Sequence, residues 1–323
     1  MDIRKLKRDA AEILEGASYS PTRLAGIHAA VAMGISLVLT AVSYFLGNMD
    51  GGAGGIGGLG AQAALSTAQS VLQLVSALVM PFWSAGLVFC ALGYARGRET
   101  EPRQLTAGFR KIGPILSSEL MMSLRYLGLG LLSAFAAAYL LMLTPAAELL
   151  TEATGGLMME SAEDLQLLLG ASMSQVMVWY FVIFLLLFGV LALPWFYCYR
   201  LVDYIIMDDA RVGGLQAMLM SRIMTARHRL QLLKLDLSFW WFYGLELLVG
   251  LIAYGELLLP MLGVALPEGL SFWGSALVSM GCRVALYAWA KPKLMVTYAL
   301  AYEQLRRIPE PEEKAPKPHP WED

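Results

Sequence analysis

The chain has 323 residues, of which 57% are hydrophobic and only 15% are charged. A soluble domain usually carries about 25% charged residues, and a soluble chain this apolar would lack the polar surface to cover its core. The formal net charge of -2 argues against a nucleic-acid-binding protein, which would present a basic face. Composition therefore predicts a polytopic membrane protein.

Six apolar stretches have about the length of a membrane span, since a helix needs about 20 apolar residues to cross roughly 30 Å of hydrocarbon. We predict an all-α membrane domain over residues 1–308, with six transmembrane helices arranged as three hairpins. The predicted spans are about 24–47, 66–94, 115–143, 176–199, 237–259 and 270–302.

Lys and Arg residues are divided unevenly between the loops. The segment before the first span, the second loop, the fourth loop and the tail all carry several, whereas the first, third and fifth loops carry none. Because short cytoplasmic loops are enriched in Lys and Arg, both termini are expected in the cytoplasm.

Three connecting segments have compositions that predict their structure. The run "GGAGGIGGLG" over 51–60 contains GxGxxG spacing, but it follows a predicted membrane helix rather than a strand, so a flexible linker is favoured over a dinucleotide loop. The acidic third loop, 144–172, includes "SAED" at Ser161, which fits a capping box and predicts a small external helical cap. Residues 309–323, rich in Pro and charge, are predicted to form a disordered cytoplasmic tail.

The fourth loop predicts a cytoplasmic amphipathic helix over about 212–230. Its apolar residues recur at helical spacing on one face: Leu215, Met218, Leu219, Ile223, Ala226 and Leu230. One interpretation places this helix at the membrane surface, with Arg222, Arg227 and Arg229 near anionic lipid head groups. The other interpretation, equally favoured, packs the helix against the ends of the spans.

A weak internal repeat supports the three hairpins. Each even-numbered span carries a proline followed by an aromatic-rich run, and these runs are "PFWSAGLVFCALGYARG" at Pro81, "PWFYCYRLVDYIIMDD" at Pro194 and "PKLMVTYALAYEQLRR" at Pro292. If the repeat is genuine, the sixth span continues past Pro292 to about Tyr302. Chance is the alternative, because neighbouring helices make proline tolerable in a span.

Four segments resemble the bacterial integral membrane family known as domain of unknown function 975. They are "LKRDAAEILEG" near the start, "YRLVDYIIMDD" from Tyr199, "SRIMTARHRLQLLKLDLSFWWFYGL" from Ser221 and "TYALAYEQLRR" from Thr297. The resemblance implies a multi-pass protein of a bacterial cell membrane. It implies no activity, because none is established for the family.

Ionisable residues within or beside the spans are candidate functional residues, since they are costly in lipid and often functional. The candidate intramembrane polar site comprises Glu119, Arg125, Glu246, Glu256, Arg283 and Lys291. Asp203, Lys234 and Asp236 form a candidate motif at the cytoplasmic lip. The alternative is that these charges only pair with one another or snorkel.

These residues favour a transporter, exporter or permeation accessory, with a membrane scaffold or assembly factor that binds lipid or protein partners as the alternative. An enzyme is less favoured, because no catalytic constellation is visible. The three cysteines, Cys90, Cys198 and Cys282, lie in apolar stretches and are expected to be small buried hydrophobes. No cofactor or metal site is expected.

Helix geometry predicts one specific contact. Asp236, Glu246 and Glu256 are ten residues apart, about 15 Å along a helix, so Glu246 should lie near mid-span. Arg283, eight residues before Lys291, should reach a similar depth on the antiparallel sixth span. We therefore expect Glu246 and Arg283 to interact directly or through water. The alternative is a protonated Glu246 bonded to a nearby hydroxyl or carbonyl.

Overall fold

The computed structural model describes residues 2–48, 56–143, 162–253 and 272–307, and all regular structure in these ranges is helical. The predicted all-α class is confirmed. The helices are α1 (Ile3–Glu15), α2 (Pro21–Asn48), α3 (Ile56–Ala95), α4 (Ile112–Met142), α5 (Ala162–Tyr199), α6 (Val202–Asp208), α7 (Gly214–Thr225), α8 (Arg229–Leu237), α9 (Trp240–Ala253) and α10 (Phe272–Arg306), with a 3₁₀ segment at Pro102–Lys111.

Within the described ranges, four stretches are long and apolar enough to cross a membrane, and they are Pro21–Val42, Gln73–Ala95, Pro102–Met142 and Val178–Asp208. A fifth results if α8 and α9, which are bent by 59° at their junction, count as one span. Helix α10 continues through Pro292 as a single helix, but Arg283, Lys291 and Lys293 make it less apolar. Six spans, their hairpin pairing and the orientation of the termini stay predictions.

Two compact units make up the chain. One consists of Met1–Ser117 with Leu201–Asp323, and the other is Ser118–Arg200. In the first unit, α10 packs against α1, α2, α3 and α9. Small residues allow close packing, since a Cβ placed on Gly26 of α2 would lie 3.5 Å from the Cβ of Ala288 on α10. This packing makes α10 the central helix of the unit.

Helices α9 and α10 run antiparallel, as the sequence predicts for residues 237–259 and 270–302. The ring centroids of Trp241 and Trp289 are 5.0 Å apart. Further along α9, Gly250 lies beside Arg283, which is six residues earlier on α10. Along this series of contacts the residue numbers rise on α9 and fall on α10, so the two helices run in opposite directions.

The start of the predicted fifth span is a break between two helices. Helix α8 ends at Leu237 and α9 begins at Trp240. Lys7 of α1 contacts this break, because its ammonium donates a hydrogen bond to the Ser238 carbonyl at 3.1 Å and lies 4.4 Å from the centroid of the Phe239 ring. Helix α1 therefore contacts the bend between α8 and α9 on one side through Lys7.

Several predicted boundaries differ from the observed helices. Residues 56–60 of the predicted glycine linker are the first turns of α3, and 162–172 of the predicted cap are the first turns of the long helix α5. The predicted amphipathic helix over 212–230 is divided between α7 and the start of α8. Residues 51–55, Ser161 with the rest of the cap over 144–161, and the predicted tail over 309–323 lie outside the described residues.

Two glycines bring the 3₁₀ segment into backbone contact with α3. A Cβ at Gly86 of α3 would lie 1.7 Å from the carbonyl oxygen of Leu105, and a Cβ at Gly108 would lie 2.0 Å from the carbonyl oxygen of Phe82. Only glycine fits at either position, because backbone atoms cannot withdraw as the end of a flexible side chain can.

We predict that Gly86→Ala lowers the stability of the protein in neutral detergent by about 1–3 kcal/mol or more, the cost of overpacking. The measurement is the thermal unfolding midpoint of the purified protein. Gly34→Ala in α2 is the matched control, because a Cβ there meets nothing within 4 Å, and alanine favours a helix over glycine. Equal midpoints for the two variants would contradict the backbone contact.

Candidate functional site

Helix α10 carries a stripe of polar side chains at a spacing of four residues. Arg283, Tyr287 and Lys291 follow this spacing, so they lie on one face of the helix. The Tyr287 hydroxyl donates a hydrogen bond to the Glu246 carboxylate on α9. The Lys291 ammonium lies 4.7 Å from the centroid of the Tyr287 ring and within electrostatic range of Glu246.

Arg283 lies one helical turn beyond Glu246, beside Gly250. Its guanidinium comes within 3.7 Å of the position that a Cβ on Gly250 would take. The buried Nε of Arg283 has no hydrogen-bond partner among the described residues. The structure therefore places Glu246 and Arg283 on adjacent levels, but the carboxylate bonds to Tyr287 rather than to Arg283. A contact through water between Glu246 and Arg283 stays a prediction.

His28 of α2 lies next to this stripe and was not singled out by the sequence. Its side chain is only 3% exposed and stacks on Trp83, with ring centroids 5.6 Å apart. Trp83 Nε1 donates to the His28 backbone carbonyl at 3.0 Å. Within the described part of the chain, neither ring nitrogen of His28 has a hydrogen-bond partner, and Lys291 lies within electrostatic range.

We call these side chains the polar cluster, and its members are His28, Glu246, Arg283, Tyr287 and Lys291. All belong to the first unit. The four-residue spacing of positions 283, 287 and 291 is visible in the sequence, but a selection of charged residues does not include Tyr287. No pattern in the sequence predicts that His28 is buried beside these residues.

The other residues of the predicted polar site lie elsewhere. Glu119 and Arg125 belong to the second unit, where the Arg125 guanidinium lies 5.3 Å from the ring centroid of Trp195 and 5.1 Å from that of Tyr199. Glu256 is outside the described residues. Arg125 therefore has an aromatic environment of its own.

The predicted lip residues have separate surroundings. Asp236 is buried and accepts a hydrogen bond from the Tyr243 hydroxyl at 3.0 Å. Lys234 is exposed on α8, and Asp203 is half-buried on α6. The contact between Asp236 and Tyr243 joins the two sides of the break between α8 and α9, so Asp236 has a structural part in the bend.

Helix α7 presents two different faces. Its small residues Gly214, Ala217, Ser221 and Thr225 are buried, and the helix packs against α6. Leu215, Leu219 and Ile223 are more than half exposed, with exposed Arg222 and Arg227 nearby and Arg229 half-buried. Met218, expected on the apolar face, is buried instead. The helix thus packs on the protein through one face and leaves the other open.

An ion-pair network, which the sequence did not predict, centres on Arg96 at the end of α3. Its guanidinium contacts Asp208 at 2.5 Å and Glu303 at 2.5 Å. Asp208 also contacts Arg306 at 2.5 Å and accepts a hydrogen bond from the Tyr302 hydroxyl at 2.9 Å. The hydrogen bond with Asp208 raises the pKa of Arg96 further above its ordinary value, so the guanidinium stays charged.

The network joins the ends of α3, α6 and α10, and three of its charged residues come at the ends of the repeated sequence runs. The runs that begin at Pro81, Pro194 and Pro292 lead to Arg96, Asp208 and Arg306 respectively. Two clefts border Arg96, of about 190 Å³ on the side of Asp208 and about 500 Å³ on the side of Glu303. Both clefts are lined by charges of both signs, including Glu99, Arg98, Asp9 and Arg307. No group of three or more potential metal ligands occurs among the described residues.

Comparison with known families agrees with the motifs around Tyr199 and Thr297. The sequence model of the family described as "Protein of unknown function (DUF975)" matches residues 27–308. The chain belongs to this family. No curated protein and no solved structure matches the chain.

The family match includes every member of the polar cluster and of the Arg96 network, so both arrangements lie within the DUF975 region. Helix α1, which braces the α8–α9 break, precedes it.

We predict that Glu246 and Tyr287 are energetically coupled. Glu246→Gln and Tyr287→Phe should each lower the stability by about 1–3 kcal/mol, and the double variant should lose less than their sum by roughly 1 kcal/mol, because the two residues share one hydrogen bond. Thermal unfolding in detergent measures all four proteins, and the exposed Tyr139→Phe serves as a control. Coupling of Glu246→Gln with Arg283→Gln instead would make Arg283 the partner.

We also predict that Arg96→Gln destabilises the protein by about 2–4 kcal/mol. Removal of one partner from a buried pair leaves its counter-charge unpaired, although the 23% exposure of the Arg96 side chain reduces the loss. The exposed Arg103→Gln is the matched control and should change the unfolding midpoint little. Combining Arg96→Gln with Asp208→Asn should cost less than the two changes added together, and simple additivity would argue against the network.

Proposed function

We propose that this protein is a non-enzymatic, multi-pass protein of a bacterial cytoplasmic membrane that acts as a transporter, exporter or permeation accessory, with both termini in the cytoplasm. The observation that carries the proposal is the polar cluster. An Arg or Lys near the centre of a membrane helix costs about 2.5–3.5 kcal/mol on the insertion scale. Helix α10 carries Arg283 and Lys291 on one face, and such residues commonly mark solute pathways.

The incomplete satisfaction of the cluster supports a functional part over a purely structural one. Buried polar groups that serve only to hold a fold together normally have hydrogen-bond partners. In the described residues, the two ring nitrogens of His28 and the Nε of Arg283 have none. These atoms can bind water or a solute without breaking an existing contact.

The orientation predicted from the basic loops supports a position of the Arg96 network at the cytoplasmic side. The network then closes the ends of α3, α6 and α10 against one another, with the two mixed-charge clefts beside it. In this proposal the clefts form the cytoplasmic approach to the helix bundle.

A pair of lysines on α10 provides the test. We expect proteoliposomes containing the protein to move at least one solute from a panel of cations, anions and amphiphiles. Lys291→Met should slow this flux by about tenfold or more, an energy of ~1.4 kcal/mol. Lys293→Met is the matched control, because Lys293 is exposed and lies 4.9 Å from the centroid of the Trp289 ring. No flux across the whole panel, or equal effects of the two changes, would reject the proposal.

A membrane scaffold is the second candidate function, and the open face of α7 favours it. The exposed Leu215, Leu219 and Ile223 lie close to Arg222 and Arg227, a pattern that suits the surface of a membrane with anionic lipids. In this role α7 holds the cytoplasmic face of the protein on the membrane, and a partner protein binds there.

The test of the second function is the environment of Leu219. An environment-sensitive fluorophore on Leu219→Cys, in a Cys282→Ser background that removes the exposed cysteine, should shift to shorter wavelength in nanodiscs with anionic lipid. Arg222→Gln with Arg227→Gln should reduce the shift. An unchanged, water-like emission in anionic nanodiscs, together with the absence of a stoichiometric partner after purification in mild detergent, would exclude the scaffold.

A further inference from the structure

The charges of the polar cluster do not balance. Arg283 and Lys291 both lie on the stripe of α10, whereas Glu246 is the one carboxylate that the described residues bring to it. Neither cation has an ion pair with a carboxylate within 4.0 Å in the described part of the chain, in contrast to Arg8, Arg96 and Arg306. A net positive charge in an apolar environment is costly unless a counter-charge joins it.

Other cations near the apolar helices are placed differently. Arg125 and Lys293 also lie over aromatic rings, but both side chains are exposed, whereas Arg283 and Lys291 are only partly exposed. Lys291 is only partly exposed and leans towards Tyr287, because side chains on a helix point back towards its N-terminus. Its ammonium is therefore directed into the cluster rather than away from it.

Three further features fit a ligand with a negatively charged oxygen. The buried imidazole of His28, stacked on Trp83, has a ring N–H with no acceptor among the described residues. Arg283 has an unused Nε donor on the other side of Tyr287. Arg283, Tyr287 and Lys291 each remain partly exposed, so the stripe is open to a ligand.

We propose that the polar cluster is a binding site for an oxyanion, a phosphate group carried by a solute or by a lipid head group. Lys291 and Arg283 supply the positive charge, and His28 donates a hydrogen bond from its neutral ring. Glu246, held by Tyr287, opposes the anion and sets the affinity. Binding of the oxyanion at the cluster does not depend on the proposed function. The further step, that the oxyanion is also transported, rests on the proposed function.

Thermal unfolding of the full chain in neutral detergent measures binding, because a ligand that binds only the folded state raises the midpoint. One arm titrates inorganic phosphate against sodium chloride of equal ionic strength. The other adds phosphatidylglycerol against phosphatidylcholine. At least one anion should raise the midpoint by about 2–4 °C. Phosphate alone would indicate a soluble ligand, and phosphatidylglycerol alone would indicate a lipid head group.

The variants separate a binding site from general ionic effects. The midpoint shift should disappear in Lys291→Met and Arg283→Gln and persist in Lys293→Met. Lys291→Arg keeps the positive charge and should restore the shift, so it tests the site even if Lys291→Met folds poorly. Glu246→Gln should increase the shift, because it removes the opposing charge, although it lowers the midpoint of the ligand-free protein. If these residues only stabilised the fold, Glu246→Gln would lower the midpoint without increasing the shift that the anion causes.

No midpoint shift with either anion, or the same shift in Lys291→Met and Lys293→Met, would overturn the oxyanion site. Anion binding that requires Lys291, with no flux of any solute, would support the site and reject transport. Flux of a cation or an amphiphile that requires Lys291, without anion binding, would support transport and reject the site.

Discussion

The first unit depends on how α10 places polar side chains among apolar helices. Polar groups in apolar surroundings are costly unless neighbouring side chains or a ligand satisfy them. Glu246 accepts from Tyr287, and Lys291 lies over the same ring. These contacts require α2, α9 and α10 to approach closely. Gly26, Ala288 and Gly250 allow this approach, because small residues let helix backbones come near one another.

The Arg96 network and the polar cluster differ in how completely their polar atoms are satisfied. Arg96 meets two carboxylates, and Asp208 meets two guanidinium groups and a hydroxyl. At the polar cluster, by contrast, buried nitrogens of His28 and Arg283 have no partner within the described residues. A fully satisfied network gives a fold rigidity and a unique arrangement. Unsatisfied buried atoms require another explanation, and a ligand provides one.

Much of the fold follows from hydrophobic length and helical period. The helices include most of each predicted span, α10 continues through Pro292, and α9 and α10 run antiparallel. Depth along a helix follows from its rise per residue, which predicts a similar depth for Glu246 on α9 and Arg283 on α10. In the structure Arg283 lies one helical turn beyond Glu246, beside Gly250. Rotation about the helix axis does not follow from that arithmetic. The sequence therefore does not show that Glu246 bonds to Tyr287 rather than to Arg283, and only the packed structure shows this contact.

The features that the sequence did not predict depend on distant or local packing. Arg96 and Glu303 are 207 residues apart, and no local pattern relates them. Residues 56–60 are helical despite three glycines, since context can outweigh the low helix propensity of glycine. Met218 shares the helical spacing of Leu215 and Leu219, but it lies on the α6 side of α7, where the small residues already allow contact.

Helix α6 connects the two candidate roles within one unit. It has only seven residues, Val202–Asp208; α7 packs against it, and its last residue belongs to the Arg96 network. Lys111 strengthens the same end, because its ammonium donates to the carbonyls of Ile206 and Asp209. Helix α6 is buried along most of its length, so it connects the packed face of α7 with Asp208. The two proposed roles therefore involve elements that pack against one another, and a surface role and a transport role need not exclude each other.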